Sequence, residues 1–291
     1  MRTDCKIAWL CIFVFQASGL FAQQAMVCGD SKIILIDYGK SADTIPAVVW
    51  TWDAHEAQDL PEVYREKKFN SVDDCKAIDK GRKILVSSSS GAVAILDRKS
   101  GKALFHADVP NAHSVEILPG NRLAAAASTA ANGNRIMLFD TGRPGRVLFE
   151  DSLYSAHGLV WHKGRKTLFA LGYDVLREYR LTRTDSLVLL NSWKIPGVGG
   201  HDLYADSEGD GLFMTEHTGA WRFDLKTYRF EKTEGFPDAE NIKSIGRHKS
   251  GQFIYTVPEK SWWTYHVSFF NPAKKLAFPG MRVYKARWFG D

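Results

Sequence analysis

The chain has 291 residues, 45% of them apolar, and a formal net charge of +5 from 38 Lys and Arg against 33 Asp and Glu. This size and apolar content are enough for a large core without disulfide support. So small a basic excess gives no reason to expect nucleic acid as a partner, because phosphate binding needs a concentrated basic surface.

The N-terminus predicts a secretory signal peptide. Residues 1–22 consist of a short basic head, MRTDCK, and 16 uncharged residues that end in small side chains. An apolar segment of this length is typical of a signal peptide and short for a membrane span. We therefore expect an exported protein, periplasmic or extracellular, with residues 23–291 as one domain, no integral membrane segment and a monomeric state.

Two cysteines, Cys28 and Cys75, remain after this segment. An oxidising compartment would allow them to form a disulfide, but two cysteines in so long a chain are not a disulfide scaffold. A bond requires their Cα atoms to lie within about 7 Å. At a larger separation they would be two buried thiols.

Short apolar runs separated by Gly, Asp, Asn and Lys turns predict an all-β chain. An apolar run that ends in Asp recurs at Asp37, Asp97, Asp140 and Asp224, and weaker versions end near Leu181 and Asn271. After the first interval, which contains the charged segment 53–71, the spacing is about 40 to 45 residues, typical of a β-propeller with four strands per blade.

The count of strands predicts six blades, of which the last is closed by both ends of the chain. Five inner strands begin near Asp74, His113, His157, His201 and Asn241, and VYKARWF supplies a sixth that lacks outer partners. The N-terminal runs AMVC, KIILID and AVVWTW would complete it, with residues 26–28 paired to residues 283–288. Such closure removes two exposed strand edges.

Three histidines recur at the same point of neighbouring repeats. His113, His157 and His201 are spaced by 44 residues (157 − 113 and 201 − 157), and each opens an apolar run. Equal repeat positions place them at equal height, so we expect them to converge at one mouth of the channel. Three imidazoles fit a divalent metal such as Zn, Mn or Ca, or metal-free acid–base chemistry. Structural hydrogen bonding between blades is the alternative.

The other inner strands carry cations: Lys76, Lys243 and Lys285, with Arg287 two residues further on. Because a buried cation without an anion is costly, cations facing histidines predict a small acidic ligand. The alternative is that each lysine pairs with a nearby carboxylate, such as Glu116, Asp202 or Asp74.

Several further side chains are candidates at the same mouth. Glu116 and Asp202 follow their histidines closely and could orient an imidazole or act as a base, or simply neutralise lysines. Trp262 and Trp263 could stack on a sugar ring or cover the core, and the remaining candidates for substrate binding are Tyr173 and His217. The chain contains no P-loop, dinucleotide fingerprint, CxxC or nucleophile elbow, which argues against a nucleotide cofactor.

The segments DDCKAID, NAHSVEIL, AHGLVW, GHDLY, SWWT and YKARW resemble an uncharacterised family of secreted bacterial six-bladed β-propeller proteins over nearly all of residues 23–291. That resemblance implies a fold and no activity. In architecture alone the histidine rim is similar to oligogalacturonate lyases and streptogramin lyases, which use a divalent metal and histidines for β-elimination. Those propellers have seven blades, and no motif of theirs matches residue by residue.

These features together predict an exported carbohydrate-active protein, a metal-assisted lyase or hydrolase acting on an anionic, uronate-type oligosaccharide. His113, His157 and His201 would hold the metal or share acid–base work, and the cations would neutralise the substrate carboxylate. The alternatives are a non-catalytic propeller that binds a glycan or a protein at the same mouth, and a purely structural propeller.

Overall fold

The computed structural model describes residues 23–206 and 211–290, so the predicted signal peptide lies outside the described residues. The described chain forms six four-stranded antiparallel sheets, which are the blades of an all-β propeller. Blade 1 contains β4 (Val72–Ile78), β5 (Lys83–Ser88), β6 (Ala92–Asp97) and β7 (Ala103–Asp108). Blade 2 contains β8 (Ala112–Leu118), β9 (Arg122–Ala127), β10 (Arg135–Asp140) and β11 (Val147–Ser152). Blade 3 contains β12 (Gly158–His162), β13 (Thr167–Leu171), β14 (Val175–Leu181) and β15 (Leu187–Lys194).

The other three blades complete the ring. Blade 4 contains β16 (Asp202–Ala205), β17 (Gly211–Glu216), β18 (Gly219–Asp224) and β19 (Arg229–Lys232). Blade 5 contains β20 (Ser244–Arg247), β21 (Phe253–Thr256), β22 (His266–Phe270) and β23 (Lys274–Ala277). Blade 6 contains β24 (Val283–Phe289), β1 (Gln24–Gly29), β2 (Lys32–Ala42) and β3 (Ile45–Asp53), in that spatial order.

Blade 6 joins the two ends of the chain, as the sequence predicted. The C-terminal strand β24 is its inner strand, and the N-terminal strand β1 pairs with it in antiparallel register, Met26 opposite Arg287 and Cys28 opposite Lys285. The backbone groups of both terminal strands are thereby satisfied within one sheet, so neither end of the ring presents an open strand edge.

The core is divided among the six interfaces between neighbouring blades. Six separate clusters of buried apolar residues each combine side chains of two adjacent blades, and the cluster between blades 6 and 1 includes Met26, Trp52 and Val86. Since the sixth cluster connects the last blade to the first, hydrophobic burial holds the ring closed all the way round.

The Asp that ends a repeated apolar run has a local structural role. In Asp97 the Oδ1 atom accepts hydrogen bonds from the Ser100 N–H at 2.8 Å and from its hydroxyl at 2.7 Å. Asp140 and Asp224 accept bonds from main-chain N–H groups two or three residues on in the same way. These carboxylates fix the turn that leads from the third strand of a blade to the fourth.

The charged insertion between blades 6 and 1 is short and partly helical. It contains a 3₁₀ turn, Ala54–Glu56, and one wide helical turn, Tyr64–Lys68, closed by a bond from the Phe69 N–H to the Tyr64 carbonyl. In the part of the chain that the structure describes, no helix has the length and apolar character to cross a membrane. Cys28 and Cys75 are both buried free thiols, not a disulfide.

Candidate functional site

One residue from each blade points into the same mouth of the central channel. We call this set the mouth ring, and all six of its members line a cavity of about 580 Å³, the histidine cavity. The members are Asp73, His113, His157, His201, Lys243 and Tyr284. The ring therefore contains the three predicted histidines, one of the predicted lysines and two residues that the sequence analysis did not select.

The six positions are equivalent in the backbone. Strand pairing skips one residue at the start of the inner strand of blades 1, 2 and 6, and the skipped residues are Asp73, His113 and Tyr284. In blades 3, 4 and 5 the ring residue directly precedes the paired part of the inner strand. Its N–H donates to a carbonyl of the second strand at 2.8 to 2.9 Å, and these residues are His157, His201 and Lys243.

The three histidines contact one another in sequence. The rings of His113 and His157 are stacked with centroids 4.2 Å apart and planes inclined by 20°, and His201 meets His157 edge-on at 5.6 Å. His157 donates from Nδ1 to the Ser155 carbonyl at 2.9 Å, so its Nε2 carries the free lone pair. The Lys243 ammonium lies 2.8 Å from Nε2 of His201.

This environment keeps the imidazoles neutral. Burial lowers the pKa of His157 to about 4, and burial together with the Lys243 charge lowers the pKa of His201 to about 2. The pKa of His113 is also well below its usual value, because the ring is buried beside His157 and Lys285. Each ring is therefore uncharged at neutral pH. Nε2 of His157 is available as a base, whereas Nε2 of His201 accepts a hydrogen bond from Lys243.

The other three members of the mouth ring are a cation, Lys243, a carboxylic acid, Asp73, and a phenol, Tyr284. Burial, and then the charge of Lys285, lowers the pKa of Lys243 to about 8. Burial raises the pKa of Asp73 to about 7, although its carboxylate accepts a hydrogen bond from the Ser89 N–H. Burial also holds the pKa of Tyr284 well above its usual value, so this phenol stays protonated.

The histidine arrangement does not fit a shared divalent ion. A metal lies near the plane of each imidazole it binds, at about 2.0 to 2.1 Å from the nitrogen for zinc. The nearly parallel, stacked planes of His113 and His157 do not meet close to their rings. Across residues 23–206 and 211–290, no group of three or more His, Cys, Asp or Glu side chains is arranged to hold a metal.

Two of the predicted cations are buried in ion pairs below the mouth ring. The Lys285 ammonium donates to Asp202 at 3.0 Å and to the carbonyls of His113 and His157 at 3.2 and 3.3 Å. Arg287 donates to Asp74 at 3.0 Å and to Asp202 at 2.6 Å. The alternative interpretation of the sequence, lysines paired with carboxylates, describes these contacts.

The side chains beneath the mouth ring form two more layers. One residue further along each inner strand is the middle ring, which consists of Asp74, Ser114, Gly158, Asp202, Ser244 and Lys285. Two residues beyond these is the distal ring, which consists of Lys76, Glu116, Val160, Tyr204, Gly246 and Arg287. Burial opposes ionisation of Asp74, yet Arg287 and Lys285 hold its pKa below the usual value.

The distal ring belongs to the opposite mouth. Lys76 and Glu116, predicted at the histidine mouth, line a second cavity of about 480 Å³ there, the distal cavity. Their side chains form an ion pair at 3.3 Å, and Lys76 also donates to the Leu159 carbonyl at 2.6 Å. We expected a half-ring of cations facing the histidines. Of the four predicted cations, Lys243 alone lies at the histidine mouth.

The aromatic candidates lie around the histidine mouth at different depths. Trp262 and Trp263 line the histidine cavity, and the Trp262 side chain is 59% exposed. His217 packs beside His201 at 5.3 Å, and Tyr173 packs edge-on against His217 at 6.3 Å. His217 and Tyr173 therefore stand behind His201 and are not among the lining residues of the cavity.

Neutral hydrogen-bonding groups complete the wall of the histidine cavity. Amide and hydroxyl side chains come from the loops above the ring, namely Asn70, Ser71, Ser89, Ser90 and Asn111. The charged pair Arg282 and Asp30 closes the side next to blade 6.

Two members of the mouth ring, Asp73 and Tyr284, were missed by the sequence analysis. Alignment of the repeats one position before Asp74 and Lys285, at the residue that strand pairing skips, would have found them.

Comparison with known proteins gives a fold and a family. No curated protein matches the chain. The crystal structure of a nidogen/laminin complex contains a chain that superposes with a TM-score of 0.65 at 13% identity, over 92% of this chain and 98% of that one. Identity this low shows the fold alone. A family model matches residues 25–291, and the chain therefore belongs to DUF6528, a family of unknown function.

Proposed function

We propose that the histidine cavity binds a carboxylate-bearing oligosaccharide and cleaves it by β-elimination without a metal. The observation that carries the proposal is the mouth ring itself, in which three neutral imidazoles stand beside one buried cation, Lys243, in a cavity open to solvent. Amide and hydroxyl groups such as Asn111 and Ser90 provide partners for sugar hydroxyls. We further propose that the protein is exported to reach such a substrate.

Each step of the reaction has a candidate group. Lys243 would bind the uronate carboxylate, and Nε2 of His157 would take the proton from the adjacent carbon. The electron pair of that C–H bond becomes a carbon–carbon double bond while the glycosidic C–O bond breaks, and Asp73 returns a proton to the leaving oxygen. A carboxyl group whose pKa is near 7 is suited to that transfer.

The low pKa of the imidazoles makes the reaction depend on the charge of the substrate. An anion bound at Lys243 offsets the positive potential of Lys243 and Lys285, which contributes to the low pKa of His157. The imidazole becomes a stronger base only when that anion is present. Elimination is favoured over two-carboxylate hydrolysis because Asp30, the other acid of the cavity, is held by Arg282.

Cleavage of oligogalacturonate, followed by the ultraviolet absorbance of the unsaturated product, tests the proposal. His157→Asn should lower the rate at least 100-fold, a typical loss for a general base. Lys243→Met should chiefly raise KM. The matched control is His106→Asn, on an outer strand away from both cavities, which should leave the rate unchanged. Cleavage that disappears with a chelator and returns with a divalent cation would overturn the metal-free mechanism.

A non-catalytic glycan-binding mouth is the second candidate. It is favoured by Trp262, whose exposed ring at the edge of the cavity can stack on a sugar. Under this alternative the protein binds oligogalacturonate without cleaving it. Trp262→Ala and Lys243→Met would then weaken binding, whereas His157→Asn would leave the dissociation constant nearly unchanged.

A further inference from the structure

The channel ends in a second cavity whose chemistry differs from that of the histidine mouth. The distal cavity, of about 480 Å³, shares no lining residue with the histidine cavity. The buried ion pair of Lys285 with Asp202 lies between the two, and Arg287, which also pairs with Asp202, lines the distal cavity. The volume is within the range of small-molecule sites, about 300 to 1,000 Å³.

Part of the wall of the distal cavity is aromatic and aliphatic. Trp161 on β12 and Tyr204 on β16 stand on neighbouring blades, and both are half-buried. Ile117, Val160 and Leu203 add aliphatic surface. Among its lining residues within the described chain there is no Ser, Thr, Asn, Gln or His, so sugar hydroxyls would find few neutral partners there.

The charges of this cavity leave an excess of cations at its rim. Each carboxylate is paired: Glu116 with Lys76 at 3.3 Å, Asp206 with Arg222 at 3.1 Å, and Asp79 with Arg82. The exposed Lys80 and Lys163 also line the cavity, and neither lies within ion-pair distance of a carboxylate in residues 23–206 or 211–290. The charge of Lys80 nevertheless acts, after that of Arg82, on the neighbouring Asp79. Inside the cavity the apolar side chains therefore stand beside the Lys76–Glu116 pair and Arg287, and two further lysines stand where the cavity meets water.

From this arrangement we infer that the distal cavity binds a small aromatic carboxylate. The flat ring would lie against Trp161 and Tyr204, where burial of apolar surface and stacking favour it. The carboxylate would remain at the rim beside Lys163 and Lys80, so it need not leave water. The inference is independent of the proposed elimination, because the two cavities use different residues.

Binding of 2-naphthoate by isothermal titration calorimetry tests the inference. It should bind with one site per chain and at least tenfold more tightly than its uncharged amide or galacturonate. Lys163→Glu should weaken binding about tenfold, and Trp161→Leu should weaken it further. Lys99→Glu, the same charge reversal at an exposed residue outside both cavities, should have no effect.

Two results would overturn the inference. One is unchanged affinity in Lys163→Glu. The other is loss of 2-naphthoate binding in His157→Asn, which would place the ligand at the histidine mouth. Because Lys163 is exposed, its replacement leaves the core intact, so the Lys163→Glu measurement decides even if Trp161→Leu folds poorly.

Discussion

The two mouths of the channel are built from the same six inner strands, yet their walls have opposite chemistry. The histidine cavity combines three neutral imidazoles with amide and hydroxyl groups, whereas the distal cavity combines aromatic and aliphatic walls with surface lysines. On each strand the distal-ring residue is only three positions after the mouth-ring residue. A propeller can therefore carry two unrelated sites on one framework, provided that the layer between them is closed.

The channel between the two mouths is closed by the charged side chains Lys285 and Arg287 and their partners, which we call the closing layer. Lys285 and Arg287 on β24 contact carboxylates or carbonyls of blades 1 to 5, so the strand that closes the ring also fills its axis. Both side chains are at most 2% exposed. Burial is the main reason for the low pKa of His113 and His157, and the charge of Lys285 lowers both values further, so the closing layer also contributes to keeping the histidine mouth neutral.

The largest expected effect comes from breaking the closing layer. Arg287→Met leaves Asp74 and Asp202 buried with fewer partners, and loss of one member of a buried ion pair costs about 3 to 5 kcal/mol. Urea unfolding should show this loss in the free energy of unfolding. Arg135→Met, which breaks the exposed pair with Glu150, should cost no more than about 1 kcal/mol. Equal costs for the two variants would contradict a closing layer held by charge.

Acidification should destabilise the histidine mouth. The folded pKa of His157, about 4, lies below the usual 6.5, so below pH 6.5 the unfolded chain binds a proton that the folded protein excludes, and stability falls. His157→Asn should reduce the slope of unfolding free energy against pH by up to about 1.4 kcal/mol per unit between pH 6 and 4.5.

The contribution of Asp73 to the change of unfolding free energy with pH has the opposite sign, so this residue serves as the control for the measurement. Its folded pKa, about 7, lies above the usual 3.8, so over the same interval the folded protein holds the extra proton and gains stability as pH falls. Asp73→Asn should therefore make the acid loss steeper. A slope that is unchanged in both variants would show that the imidazoles and the carboxyl group are not buried as described.

The smallest expected effect concerns the two thiols beside the closing layer. Cys28 donates to the carbonyls of Asp73 and Lys285, both at 3.3 Å, and burial followed by contact with Cys75 raises its thiol pKa. Ellman's reagent should label neither cysteine in the folded protein and both after unfolding. Labelling of the native protein within minutes would show that a mouth opens onto Cys28, and absence of labelling after unfolding would indicate a disulfide.

Much of the histidine mouth could be predicted from the repeat spacing. Two equal intervals located His113, His157 and His201, and the structure brings these rings into contact. The lysines were harder to place because they occupy different positions relative to the start of their inner strands. Lys243 occupies the mouth ring, Lys285 lies one layer deeper and Lys76 reaches the opposite mouth, so three residues of one type belong to three layers.

The sequence by itself determined the all-β fold, the six blades and the closure of the ring by both ends of the chain, because strand alternation, turn residues and repeat length are local properties. Only the tertiary structure decided which layer each charged side chain occupies and which partner it meets. A single skipped residue at the start of a strand shifts side chains between layers. Partners such as Lys285 and Asp202 are 83 residues apart in sequence, so their contact exists only once the blades surround a common axis.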